Sequence, residues 1–317
     1  MKYRRLGNTG LKVSEISLGS WLTYGGYVDK EQAISVIDKA YELGINFFDT
    51  ANIYMNGEAE RIVGEALRKY PRESYVLATK VRGAMGKGPN DQGLSRKHIM
   101  EQCEASLKRL GVDYIDVYYC HFFDPDTPLE ETLRAMDDLV RQGKVLYVGV
   151  SNWTAAQIAE ALSIVDRHSL HRIAANQPLY NLFARDIEKE IIPLCERHGI
   201  GQVVYSPLAQ GVLAGKYKSV NDAPSGSRAT DKHGAETVKS WLKEENLAKV
   251  ERLRPIAEEL GLSLAQLALA WTLRLPNVSS AIIGASVPGQ VEDNVKASGV
   301  TLPQEVIDRI DKIFQTP

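Results

Sequence analysis

The chain has 317 residues, 44% of them apolar and 25% charged, with a formal net charge of −2 at pH 7. Such a composition supports a sizeable buried core and excludes a disordered chain, and the near-neutral charge gives no footing for nucleic acid or an anionic membrane surface. No stretch approaches the roughly 18 charge-free apolar residues of a membrane span, and Cys103, Cys120 and Cys195 lack disulfide or metal spacing, which suits a reducing cytoplasm.

In chain order, the opening MKYRRLGNTGLKVSEISLG carries charge and no apolar centre, so no secretory signal is expected. Segments 2–6 and 11–14 flank Gly7-Asn8-Thr9-Gly10 and predict a β-hairpin. Strand-like runs then recur at 16–20, 45–50, 75–81, 114–121, 145–151, 173–177, 202–207 and 280–286. Helical patterns lie between them. Segment 29–43 opens on Asp29 and closes at Gly44, 95–110 opens on Ser95 and stops at Gly111, and 130–142 stops at Gly143. Segment 186–198 stops at Gly199, 263–273 is rich in Ala and Leu, and further helices are expected from Pro288 and over 303–314. The strands are apolar throughout rather than alternating, as in parallel sheets covered on both faces.

Eight strand–helix repeats predict an α/β chain folded as one (β/α)₈ TIM barrel over 1–317, in preference to an open doubly wound sheet. The polar stretch 215–239 after the seventh barrel strand reads as a long loop over the mouth.

In such a barrel the C-terminal tips of the strands carry the chemistry. The second tip offers Asp49 with Tyr54 just beyond, the third Lys80 and the fourth His121. Reduction of a carbonyl needs a proton donor for its oxygen. A Lys ammonium favours tyrosinate, an Asp keeps the Lys charged and placed, and a His can polarise the carbonyl. Taken singly, Asp49 could be a loop staple, Lys80 a snorkelling rim residue, and Tyr54 and His121 packed side chains. Four reaction-suited types on three successive tips are harder to read as packing. The remaining histidines fall off the strand tips, so no metal site is expected, and no GxGxxG fingerprint follows a strand.

The motifs GINFFDTANIY (44–54), ATK (78–80), SLKRLGVDYIDVYYCH (106–121), GKVLYVGVSN (143–152), NQPLYN (176–181), YSPLAQGVLAGKY (205–217) and IIGAS followed by QVEDN (282–294) resemble the aldo-keto reductase superfamily over essentially the whole chain. The opening segment and YSPLAQG look closest to bacterial members related to potassium-channel β subunits.

The resemblance implies a catalytic tetrad of Asp49, Tyr54, Lys80 and His121, and an NADPH or NADP⁺ cofactor. Ser151, Asn152 and Gln177 would bind the nicotinamide carboxamide, with Tyr205 against the ring and Gly19, Ser20 and Trp21 bordering it. Ser206, Pro207, Leu208, Ala209, Gln210, Gly211 and Leu213 would follow the pyrophosphate. Lys216 and Arg228 would reach phosphates, and Gly284, Ser286, Gln290, Asp293 and Asn294 would hold the adenosine end. Trp21, Tyr24, Tyr54, His121, Phe122 and Phe123 would line an apolar mouth for a small carbonyl substrate.

Two features depart from the family's patterns. Channel β subunits carry another residue where His121 stands, which favours a competent reductase. Many NADPH-preferring members carry Lys and Arg where this chain has Ser286 and Gln290, which keeps NADH open. Two other readings remain: a nucleotide-holding regulatory module like the channel subunits, and a polyol or sugar dehydrogenase running in reverse. A homo-oligomer is compatible with either.

Overall fold

The computed structural model describes residues 1–221, 224, 228–230 and 234–315, without the side chains of 228 and 315. Strands β1 (Tyr3–Arg5) and β2 (Lys12–Ser14) pair antiparallel as the expected hairpin. Strands β3 (Ile16–Gly19), β4 (Phe47–Asp49), β5 (Val76–Val81), β6 (Ile115–Cys120), β7 (Val145–Ser151), β8 (Ile173–Gln177), β9 (Gly201–Tyr205) and β10 (Val278–Ile283) follow. They pair parallel in chain order, and β10 closes onto β3 with Ala281 opposite Ile16, which completes a (β/α)₈ TIM barrel among the described residues.

The helices are α1 (Lys30–Glu42), α2 (Glu58–Leu67), α3 (Arg96–Leu110), α4 (Leu129–Arg141), α5 (Ala155–His168), α6 (Ile191–His198), α7 (Ala235–Lys239), α8 (Glu244–Glu259), α9 (Leu264–Thr272), α10 (Pro288–Asn294) and α11 (Gln304–Gln315). Their ends follow local chemistry. Asp29 accepts the Gln32 N–H at 2.8 Å and Ser95 that of His98 at 3.2 Å, while Thr154–Gln157 and Ser263–Gln266 form reciprocal caps. Gly111 and Gly199 take left-handed conformations after α3 and α6.

Two expectations need correction. The single helix read over 186–198 is a 3₁₀ turn, Asp186–Glu188, followed by α6, with Glu190 at φ −131° between them. Pro193 explains the late start: a proline is accepted in the first helical turn, where its missing N–H has no partner to lose. The stretch 215–239 is not one unbroken loop, because Arg228–Thr230 form a 3₁₀ turn and α7 occupies its end. Positions 222, 223, 225–227 and 231–233 of that stretch lie outside the described residues.

Apolar burial forms two layers. Phe47, Val76, Ala78, Val117, Tyr119, Ala175, Val203 and Ile282, one or two from each of six strands, pack together in the bore, and Leu6 and Val13 of the hairpin join them. The hairpin turn meets the start of β9, where Asn8 N–H donates to Gly199 O at 2.8 Å, so it plugs the N-terminal end. Arg4 fastens it by donating to the carbonyls of Leu273, Leu275 and Val278 and pairing with Glu15 at 2.7 Å. The larger layer lies between strands and helices. With one end filled, the open end carries the strand tips.

Helices α2 and α3 touch through Gly64, where an added Cβ would stand 2.2 Å from the Leu110 carbonyl oxygen. Because that neighbour is backbone, Gly64→Ala is expected to destabilise the fold by about 1–3 kcal/mol. The check is the midpoint of urea unfolding, which should fall with the slope unchanged.

Candidate active site

Asp49 ends β4, Lys80 is the penultimate residue of β5, and His121 follows β6. Tyr54 opens a 3₁₀ turn, Tyr54–Gly57, reached from β4 by a tight loop in which Tyr54 N–H donates to Ala51 O at 3.1 Å. Met55, Asn56 and Gly57 are all left-handed, at φ 47°, 53° and 90°, so the chain reverses immediately after the tyrosine.

The four side chains meet. Lys80 has no exposed surface, and its Nζ donates to Asp49 Oδ1 at 2.5 Å, Thr50 O at 2.7 Å and the Tyr54 hydroxyl at 3.2 Å. All three ammonium protons therefore have acceptors. The His121 ring stands edge-on to the Tyr54 ring with centroids 5.6 Å apart, and Phe122 stacks on it at 5.1 Å.

The charges follow from these contacts. Burial opposes a charged Lys80, but Asp49 and Tyr54 outweigh it and hold the ammonium above its ordinary value. Burial raises Tyr54 above 10.0. Lys80 pulls it down, as expected, but does not overcome the burial, to which Asp49 adds. Tyr54 thus stays protonated at neutral pH, next to a cation that would stabilise the phenolate as it forms. Burial, then Lys80 and Arg82, push His121 down to about 3, so its imidazole is neutral.

Above these groups lies a cleft of about 970 Å³, at the upper end of the range for small-molecule and cofactor sites. Asp49, Tyr54 and His121 line it, as do Gly19, Trp21, Ser151, Asn152, Gln177, Tyr205, Ser206, Pro207, Leu208, Gln210, Gly211, Lys216, Gly284, Ser286, Gln290, Asp293 and Asn294.

A hydrogen-bonded chain braces one arm. Tyr205 OH donates to Asn152 Oδ1 at 2.8 Å, Asn152 Nδ2 donates to Ser151 Oγ at 3.0 Å and His121 O at 3.3 Å, and Ser151 Oγ donates to Gln177 O at 2.8 Å. These bonds hold Asn152 at φ 57°. At the far end, Gln290 Oε1 accepts the Ser286 N–H at 2.8 Å, and Asp293 is held by Ser263 Oγ at 2.9 Å and Gln266 Nε2 at 2.7 Å.

Several expected residues lie elsewhere. Ser20 is buried with its hydroxyl on Thr50 Oγ1 at 2.8 Å, and Ala209 and Leu213 are core residues without exposed surface. Tyr24 is 1% exposed within the core, and Phe123 turns edge-on against Trp153 at 5.2 Å. Neither borders the cleft. The Arg228 side chain lies outside the described residues.

Leu22, Tyr27, Ile53 and Met55 line the mouth beside Tyr54 without having been singled out, and Ser263 and Ala265 reach the far end. The apolar side chains flanking Tyr54 and Trp21 were the available signal for the first group. Nothing local marks the second.

The donor sets divide by chemistry. Amides and a phenol (Asn152, Gln177, Tyr205) flank the tetrad and suit a planar carboxamide-bearing ring. Hydroxyls, amides and a cation (Ser206, Gln210, Lys216, Ser286) occupy the long arm and suit phosphates and sugar hydroxyls. These residues fit a nicotinamide dinucleotide.

The pattern of the aldo/keto reductase family matches residues 15–315. A probable voltage-gated potassium channel subunit beta of Arabidopsis thaliana is 46% identical over 100% of this chain and 97% of its own length. The correspondingly named protein of Oryza sativa subsp. japonica gives the same identity and coverage. A putative one of Schizosaccharomyces pombe is 46% identical over 98% of this chain and 93% of its own.

The depressed His121 has a consequence for stability. An unfolded chain binds a proton at this histidine near its ordinary 6.5, whereas the folded chain refuses it down to about 3. Stability from this group is therefore fully present above 6.5 and lost as pH falls towards 3. His121→Gln should flatten that fall, as read by unfolding midpoints across the same pH range.

Proposed function

This chain belongs to the aldo/keto reductase family, and from that premise we propose that it is an NAD(P)H-dependent reductase of aldehydes or ketones, with Tyr54 as proton donor. The observation that carries the reading is the Lys80 ammonium, buried and shared between the Asp49 carboxylate and the Tyr54 hydroxyl.

When bound, the nicotinamide supplies a hydride to the carbonyl carbon. Tyr54 gives its hydroxyl proton to the carbonyl oxygen, and the O–H electron pair remains on the phenolate. Lys80 faces that new charge at hydrogen-bond distance, and Asp49 keeps Lys80 charged. His121, neutral at working pH, offers an N–H to the same oxygen without adding a cation that would compete with Lys80. Trp21, Leu22, Tyr27, Met55 and Phe122 form an aromatic and aliphatic mouth suited to an apolar substrate.

Ser151, Asn152, Gln177 and Tyr205 would hold the nicotinamide, Ser206, Pro207, Leu208, Gln210, Gly211 and Lys216 the phosphates, and Ser286, Gln290, Asp293 and Asn294 the adenosine end. NADPH is the assigned coenzyme because Lys216 borders the long arm and Arg228 belongs to the same loop. The absence of a cation at Ser286 and Gln290 leaves NADH as the alternative. Three buried free cysteines suit the cytoplasm assigned to it.

A second reading has its own support. Relatives at 46% identity along the whole chain bear the name of potassium-channel β subunits, so the barrel could hold nucleotide as a module docked on a channel, itself assembled as a homo-oligomer. The tetrad favours the enzyme.

Turnover of NADPH, then NADH, against a reactive aromatic aldehyde tests both. Tyr54→Phe should lower kcat by about 10²–10⁴-fold while coenzyme Kd, read by fluorescence titration, changes less than about twofold. Unchanged turnover in that variant would remove Tyr54 from the role. Tight nucleotide binding with no turnover on a broad carbonyl panel would favour the channel module. Lys216→Ala should weaken NADPH about tenfold and NADH less; equal losses would place Lys216 away from the 2′-phosphate.

A further inference from the structure

The Asp49 carboxylate has two oxygens, and the tetrad accounts for one. Oδ1 accepts from Lys80 Nζ at 2.5 Å, whereas Oδ2 accepts from Gln177 Nε2 at 2.8 Å. Gln177 ends β8, opposite β4 in the barrel, and is 3% exposed, as is Asp49. The bond therefore spans the bore between two nearly buried side chains, where a charge-assisted hydrogen bond is strong and an unsatisfied carboxylate oxygen is costly. Gln177 is also tied at its backbone, because its carbonyl accepts from Ser151 Oγ at 2.8 Å, and Ser151 in turn accepts from Asn152. One residue thus joins the Tyr54–Lys80–Asp49 line to the Ser151–Asn152–Tyr205 line.

We propose that Gln177 is a positioning residue for proton transfer, its amide N–H locking the Asp49 carboxylate so that the other oxygen faces Lys80 and Lys80 faces Tyr54. This role rests on the reductase reading and is separate from any contact Gln177 makes with the coenzyme. Only a donor at position 177 serves it. A glutamine offers one at every working pH and adds no charge to a site that already balances a carboxylate against an ammonium.

Two variants of similar size separate the roles. Gln177→Met offers Asp49 nothing. Gln177→Glu keeps an acceptor for a coenzyme amide but sets a second carboxylate against Asp49 until it is protonated, when it becomes a donor again. The titratable groups facing this pair are Lys80 from β5, Tyr54 from the turn after β4 and Tyr119 from β6, which stands in register with Lys80 and senses the Asp49 charge. Beyond Lys80 lie His121 and Arg82, and Tyr205 lies near Tyr54.

The experiment measures kcat and coenzyme Kd for the full chain and both variants between about pH 5 and pH 8, with a crystal structure of Gln177→Met. The expected result is a loss in kcat of at least about tenfold for both variants at pH 8. On acidification Gln177→Glu should recover and Gln177→Met should not, and the Met variant should show the Asp49 carboxylate rotated and the Lys80–Tyr54 contact lengthened. A loss confined to coenzyme Kd, with kcat and the Asp49 rotamer unchanged, overturns the proposal. An inactive wild-type chain would instead defeat the reductase reading. In that case an unmoved Asp49 in the variant structure overturns the positioning role, while a rotated carboxylate upholds its geometric part.

Discussion

A lysine ammonium with no exposed surface can stay charged only if every proton finds an oxygen and a counter-charge stands close by. Lys80 meets both conditions through Asp49, the Thr50 carbonyl and the Tyr54 hydroxyl. That requirement organises the site. It fixes the length of β4, which must deliver Asp49 and then Thr50, and the sharp return that brings Tyr54 back over the ammonium. The left-handed run at Met55, Asn56 and Gly57 follows at once and leads the chain into α2. Backbone strain of this kind persists where surrounding contacts over-determine it. Here the α2 N-terminus packs directly behind, with the Arg109 side chain lying against Gly57 and bound to the buried Glu60.

The same burial sets the division of labour between the ionisable groups. It keeps Tyr54 protonated and His121 neutral, against a Lys80 held charged. A cation fixed beside a neutral acid does little before the reaction and most as the phenolate appears, which is the differential stabilisation that catalysis needs. Family membership and the channel-subunit names of the relatives concern the whole barrel, whereas this charge arrangement concerns four side chains and argues for chemistry.

The architecture was legible because the barrel strands are largely apolar runs separated by helical patterns that stop at glycine, and three successive strand tips bear residues poorly suited to packing. Asp49, Lys80 and His121 could be placed from strand ends alone. Loop side chains could not. Tyr24 and Trp21 sit three positions apart on one loop, with Leu22 left-handed at φ 58° between them, and Trp21 faces the cleft while Tyr24 enters the core. Pro193 is the local sign that the helix before Gly199 begins late. The Gln177–Asp49 bond joins residues 128 positions apart and leaves no local trace.

That separation bears on how the protein comes into being. Domains emerge from synthesis N-terminal end first, so β4, β5 and β6 are made well before β8 supplies the second partner of Asp49, and before β10 returns to pair with β3. A nascent or truncated chain ending before residue 177 would carry all four tetrad residues yet leave one oxygen of the central carboxylate without its amide. The hydrogen bonding around Asp49 is therefore completed only when β8 joins the barrel, after the tetrad itself has been made. The arrangement thus depends on long-range contacts, in a topology where such contacts are slow to find.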